Sequence, residues 1–293
     1  MLELRLPSPV EELFDDRLAS AGVRLWLKRD DLVKPDLPGN KWRKLKHNMT
    51  AATMQGHDTV LTFGDANSDH IRVTAEAGAA HGLRTIGVIA DEEGRPLTRS
   101  LEYAMRRGMR VAYIDRTTYW RKASPDVIAS LRRQHGAFYL IPEGGNNELA
   151  LRGCAELPAE IGQDFDFICC PCGTGGTLAG IAAGLTPKQK AVGFSVLKDG
   201  EFLAGEVSRL QRQSFGATSD NWSVESGFHF GGFGEETPEL AGFIKEFEQR
   251  HRLRFERVYV AKLMYGIFAM AGRGSFPPGS RVIAVITGSP TRP

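Results

Sequence analysis

Lys41 follows Gly39-Asn40 and opens a segment, Trp42-Arg43-Lys44-Leu45, whose apolar residues recur at helical spacing. In the first turn of a helix the backbone dipole disfavours a cation, which should lower a lysine's pKa and leave part of it as a neutral amine. A neutral amine attacks aldehydes. Lys44, one turn on, shares that face and can reach an anion. The bland alternative is a solvated basic face, since Arg43 and Lys46 are charged as well.

A second stretch with chemistry is Cys172-Gly173-Thr174-Gly175-Gly176-Thr177, between a buried apolar run and a helix-like segment from Thr177 to Gly184. Such a turn leaves backbone N–H groups at a helix start, where they and the dipole cradle a phosphate or carboxylate. No Gly-Lys-Ser/Thr follows the glycines, so this is not a nucleotide P-loop. A dinucleotide fingerprint from Gly173 needs Gly or Ala at 178, which is Leu. A monophosphate suits the loop, and so does a plain strand-to-helix turn. A third junction, Gly64-Asp65-Ala66-Asn67-Ser68-Asp69-His70, carries polar groups at another strand end.

The elements around these junctions read as strands at 59–63, 85–90, 109–114, 137–141, 166–171, 191–197 and 281–286, with helical segments between them. Trp42, Leu45, Met49 and Ala52 mark one such helix. Short buried strands separated by helices predict an α/β fold with parallel sheets, whose ligand sites gather where strands end. The stretch 211–236, rich in Ser, Gly and aromatics, reads as a long loop able to cover a site.

At 293 residues the chain has room for one large domain or two. A net charge of +2 argues against nucleic acid or an acidic membrane as partner. No apolar run approaches a bilayer-spanning length and no export signal precedes residue 6, so the cytoplasm is the expected location. Cys169, Cys170 and Cys172 cluster, but with no Cys/His pair at suitable spacing they read as buried small hydrophobes and no metal is expected.

Taken in order, Asp30-Asp31, Gly39-Asn40-Lys41-Trp42-Arg43-Lys44-Leu45, the Ser68/His70 turn, Ile141-Pro142-Glu143-Gly144-Gly145, Gly173–Thr177, Val258-Tyr259 and Thr287-Gly288 form a pattern. It resembles the D-cysteine desulfhydrase / 1-aminocyclopropane-1-carboxylate (ACC) deaminase family of pyridoxal 5'-phosphate (PLP) enzymes, from about Leu6 to Ser289. The resemblance implies the two-domain tryptophan-synthase-β-like fold (fold type II). Its large PLP-binding domain would comprise residues 1–44 and 148–293 and its small inserted domain residues 45–147, with the cofactor in the cleft between them.

It also implies roles. Lys41 would carry PLP as a Schiff base, and Lys44 with Gly173, Thr174, Gly175, Gly176 and Thr177 would hold the phosphate. Ser68, a catalytic residue with Lys41 and Tyr259, would bind the substrate carboxylate; Asp69 would meet both the cofactor and the substrate, and His70 and Phe233 the substrate. Tyr259 would serve in proton transfer or attack, and Thr287 would meet the pyridine nitrogen. The partners implied are a small amino acid and a second copy of the chain, as a homodimer.

Several positions depart from the family's pattern. Asp69 replaces an asparagine that donates a hydrogen bond near the cofactor or the substrate carboxylate; an ionised carboxylate only accepts. Val260 stands where ACC deaminases carry a glutamate, and Phe233 where they carry a second tyrosine. Without that carboxylate the electron sink is weaker, which disfavours ring opening and favours β-elimination of a good leaving group, such as thiolate from D-cysteine. Another PLP reaction on a small amino acid, and a PLP-binding homologue without the reaction, are the alternatives.

Overall fold

The computed structural model describes residues 4–34, 39–91 and 96–288; Pro38 of the lysine loop and Ser289 of the closing motif lie outside them. The first half forms β1 (Val10–Leu13), α1 (Asp16–Ser20), β2 (Arg24–Lys28), α2 (Gly39–Met54), β3 (Thr59–Gly64), α3 (Asp69–Ala80), β4 (Arg84–Ala90), α4 (Arg99–Arg106), β5 (Met109–Ile114), α5 (Arg116–Trp120), α6 (Pro125–His135) and β6 (Tyr139–Ile141). The second half adds α7 (Glu148–Ala155), β7 (Phe167–Cys172), α8 (Gly176–Ala183), β8 (Lys190–Ser195), α9 (Phe202–Phe215), β9 (Trp222–Glu225), α10 (Pro238–His251), α11 (Val260–Gly272) and β10 (Arg281–Val285). Every strand expected from the sequence is present, and β1, β2 and β9 are additional.

The chain divides into two compact units. One is Lys41–Gly153; the other joins Leu4–Asn40 to Cys154–Pro293. The first holds a four-stranded sheet in the order β5-β4-β3-β6, parallel throughout. β3 is buried at every position, as a strand covered on both faces must be. Leu61, Phe63, Ile86, Val88 and Phe138 pack on one side of this sheet, and Ile71, Ala75, Ile89 and Met109 form a second cluster.

The second unit holds a six-stranded sheet, β1-β2-β10-β7-β8-β9. Only β1 runs antiparallel to its neighbour; the other pairs are parallel. β7 lies inside this sheet yet contains Pro171, which cannot donate to a ladder. The register against β10 ends at Cys169↔Ala284, so the proline interrupts no bond there. Leu25, Leu27, Phe194, Phe247, Leu263 and Ile267 lie in the core of this unit.

The stretch expected to be one long loop is not. α9 extends through Phe215, and β9 adds an edge strand at Trp222–Glu225. The buried amide of Gln211 accounts for this: its Oε1 accepts from the Ser219 backbone N–H at 3.1 Å and from Trp222 Nε1 at 3.2 Å, and its Nε2 donates to Ala179 O at 3.1 Å. One polar side chain thus pins the connection to α8 and starts β9.

Candidate functional site

In the Lys41–Gly153 unit, Lys41 and Lys44 lie in α2, whose Trp42, Leu45, Met49 and Ala52 are all buried. That apolar stripe turns the helix so that Lys44 is buried too. Its Nζ donates to Asn146 Oδ1 at 2.8 Å and to Gly144 O at 3.2 Å, which ties it to the turn after β6. The turn needs glycine at 145, where φ is +73°. A Cβ there would come within 3.3 Å of His70 Cε1 and 3.5 Å of Lys44 Cβ.

Ser68 is the N-cap of α3: its Oγ accepts from the His70 backbone N–H at 3.2 Å, and its backbone is extended. Asp69, the first helical residue, is half exposed, with one carboxylate oxygen 3.9 Å from Arg72 Nη2. Gly64, before this turn, has no room for a side chain, since a Cβ would stand 2.6 Å from Ile71 Cγ1. The ring of His70 is buried, and its Nε2 lies 2.8 Å from Thr62 Oγ1. Burial, with Lys41 and Lys44 nearby, holds its pKa well below 6.5, so the ring is neutral at physiological pH.

In the other unit the glycine loop takes the shape expected of it. β7 ends at Cys172, Gly175 sits at the N-cap of α8 with φ +75°, and no side chain caps that helix start. Gly173 lies against Tyr259: a Cβ at 173 would be 3.3 Å from both Cε1 and Oη of the tyrosine. Thr174 is exposed and Thr177 buried. Phe233 meets the Tyr259 ring edge-on, with centroids 5.8 Å apart at 72°. Thr287 is buried just past β10, and Gly288 beside it faces the Glu256 side chain.

Two residues given no role in the sequence analysis hold this arrangement. Glu256 accepts from the backbone N–H groups of Val258 at 2.5 Å, Tyr259 at 2.7 Å and Val260 at 3.2 Å, so its carboxylate caps α11 and fixes the Tyr259 backbone. Lys262 is buried within α11, and its Nζ donates to His229 O at 2.7 Å and Gly232 O at 2.5 Å. Those bonds anchor the turn that carries Phe233, which passes through positive φ at Phe230, Gly231 and Gly232. An acidic residue three positions before Tyr259 is the sequence signal for the cap; the lysine carries none.

Among the described residues no group of three or more His, Cys, Asp or Glu is placed to hold a metal, and all four cysteines are buried. No helix among them is long and apolar enough to cross a membrane.

The helices between the parallel strands of each unit's sheet define an α/β protein. Residues 4–288 match the family model described as pyridoxal-phosphate dependent enzyme, and the chain belongs to that family. It is 29% identical to a putative ACC deaminase of Pyrococcus horikoshii over 91% of this chain and 85% of that protein. It is 31% identical to a bifunctional D-cysteine desulfhydrase/ACC deaminase, mitochondrial, of Arabidopsis thaliana, over 89% of this chain and 71% of that one. A crystal structure of an ACC deaminase homologue superposes with a TM-score of 0.84 at 27% identity, covering 98% of this chain and 91% of that one. The fold is therefore that of fold-type II PLP enzymes.

The residues present fit the cofactor. The start of α8 has no side-chain cap and a left-handed glycine, as a phosphate cradle requires. His70 Nδ1 is buried without a partner among the described residues, which leaves a polar atom for a ligand.

Proposed function

We propose that the chain is a PLP-dependent lyase that cleaves D-cysteine by β-elimination: D-cysteine and water give pyruvate, ammonia and hydrogen sulfide. The observation that carries this choice is the surround of Tyr259. The next residue, Val260, is wholly buried and offers no carboxylate, and the ring against the tyrosine, Phe233, has no hydroxyl. Ring opening asks for more charge stabilisation than these residues supply, whereas expulsion of thiolate asks for less.

In this reading Lys41 Nζ anchors the cofactor and removes the substrate's α-proton. Ser68 and the first N–H groups of α3 bind the substrate carboxylate, an anion at a helix N-terminus. Gly173–Thr177 at the start of α8, with Lys44, binds the phosphate, and Thr287 meets the pyridine nitrogen. When bound, PLP supplies the electron sink for the carbanion at the α-carbon. Tyr259 passes a proton at the leaving group from its phenol Oη. Asp69 accepts a hydrogen bond from the N–H of the substrate's α-amino group. Residues 1–44 and 148–293 would form the PLP-binding domain and 45–147 the inserted one. The family resemblance extends the proposal to a homodimer in the cytoplasm, which gel filtration and cell fractionation check.

ACC deaminase activity is the second reading, supported by the names of the relatives from Pyrococcus horikoshii and Arabidopsis thaliana. One experiment separates the two. Purified protein loaded with PLP is given D-cysteine, L-cysteine or ACC, and pyruvate and 2-oxobutyrate are assayed. Pyruvate from D-cysteine, abolished in Lys41→Ala, supports elimination. 2-Oxobutyrate from ACC supports ring opening, and no turnover on a wider amino-acid panel by yellow protein leaves a PLP-binding homologue without the reaction. Borohydride reduction and peptide mapping then test the anchor: a label on a lysine other than Lys41 overturns the role assignments.

A further inference from the structure

The hydroxyl of Thr62 joins two groups in the Lys41–Gly153 unit. Its Oγ1 donates to Ile141 O at 2.9 Å, which joins β3 to the end of β6 beside the Gly144–Asn146 turn, and the same oxygen lies 2.8 Å from His70 Nε2. A hydroxyl has one proton, and a carbonyl can only accept it. With that proton committed to Ile141, the oxygen accepts from His70, so the hydrogen of the imidazole sits on Nε2. Nδ1 then carries a lone pair and no hydrogen.

Thr62 is itself wholly buried, so water does not compete for this relay. His70 is 2% exposed, and Nδ1 has no partner among the described residues. The Nδ1–Cε1 edge faces Gly145, where only the absence of a side chain leaves space, and the charged groups acting on the ring are Lys41 and Lys44 of α2. A buried acceptor without a donor costs free energy, which a ligand donating to Nδ1 would recover.

We infer that Thr62 is a positioning residue: by locking His70 in the neutral Nε2–H tautomer it presents Nδ1 as a fixed acceptor for a hydroxyl or N–H of the bound ligand. A lone pair offers nothing to an anionic oxygen, so Nδ1 itself selects a group that brings its own hydrogen. The tautomer stands on the geometry alone; the ligand half rests on the PLP reading.

The test is 15N NMR of histidine-labelled protein, with the His70 signals assigned by their loss in His70→Gln. A pyrrole-type Nε2 and a pyridine-type Nδ1, unchanged between about pH 5 and about pH 8, are expected. A protonated ring at neutral pH, or hydrogen on Nδ1, overturns the inference. On loading with PLP and substrate analogue, Nδ1 is expected to move in the direction of hydrogen-bond acceptance, and no movement in the loaded protein refutes the ligand half. Thr62→Val is expected to mix the tautomers and weaken PLP binding about fivefold, the size of one net hydrogen bond, with Thr62→Ser restoring both. Mixed tautomers with unchanged affinity would remove the positioning role. If Thr62→Val does not fold, the wild-type and Thr62→Ser spectra decide. Failure of the wild-type protein to take up PLP would count against the proposed function while the tautomer result stands.

Discussion

The phenol of Tyr259 lies against the backbone of Gly173, so closely that a methyl group on the glycine would stand 3.3 Å from the phenol oxygen. The tyrosine at the start of α11 and the loop at the end of β7 are 86 residues apart in sequence (259 − 173) and form one surface.

Gly173→Ala should therefore move the ring rather than simply fill space. The neighbour must yield by a few tenths of an ångström, so the cost is about 1 kcal/mol, at the low end for overpacking. Urea denaturation measures it, and the KM for the amino-acid substrate should rise alongside. An unchanged midpoint together with unchanged KM would show that the contact does not constrain the tyrosine.

Tyr259→Phe keeps the ring on Gly173 and Phe233 and removes only the hydroxyl. If that hydroxyl transfers a proton, kcat should fall about 100-fold while stability falls by no more than about 1.5 kcal/mol, the net worth of one hydrogen bond. Steady-state kinetics on the loaded enzyme checks this; full activity assigns the proton transfer elsewhere.

Glu256→Ala leaves the N–H groups of Val258, Tyr259 and Val260 without their carboxylate acceptor. The expected loss is about 2 kcal/mol, the upper end for a helix cap because the acceptor is charged and takes three donors. Thermal unfolding measures it. Because the cap also fixes the Tyr259 backbone, kcat should fall more than binding of PLP.

Stability should decline on acidification in a way that His70 helps to set. Its folded pKa lies well below 6.5, the value it recovers on unfolding. Below 6.5 the unfolded chain binds a proton at this residue that the folded chain refuses, so stability present above that pH is lost as pH falls towards the folded pKa. His135 is shifted in the same direction, chiefly by burial and then by Arg110, so the wild-type slope contains both. Comparison of wild type with His70→Gln by denaturation at several pH values isolates the His70 share. Identical slopes in the two proteins would mean that the ring is not held neutral.

Much of the fold was legible because its signals are local. The inner strands β3, β4, β7, β8 and β10 are short apolar runs, and α2 announces itself through Trp42, Leu45, Met49 and Ala52. β2 escaped because its run ends in Lys28, a charge that looks exposed in sequence. In the fold that ammonium is wholly buried and donates to Ser8 O at 2.7 Å. β9 escaped because it is four residues long and depends on Gln211, eleven positions earlier, to hold Trp222.

Residue type and spacing singled out the lysine helix and the glycine loop, because a glycine turn before a helix and a lysine in a first turn act through their own backbone; each still admitted a plain structural reading, and only the order of motifs resembling a known family pointed to the cofactor. Which side chains meet was decided by tertiary packing. Lys44 on the Gly144–Asn146 turn, Glu256 under Tyr259, and Thr62 on His70 pair groups brought together by strand order or by a turn into a helix. Hydrogen bonds between side chains act over about 3 Å, and only the folded chain brings such partners within that reach.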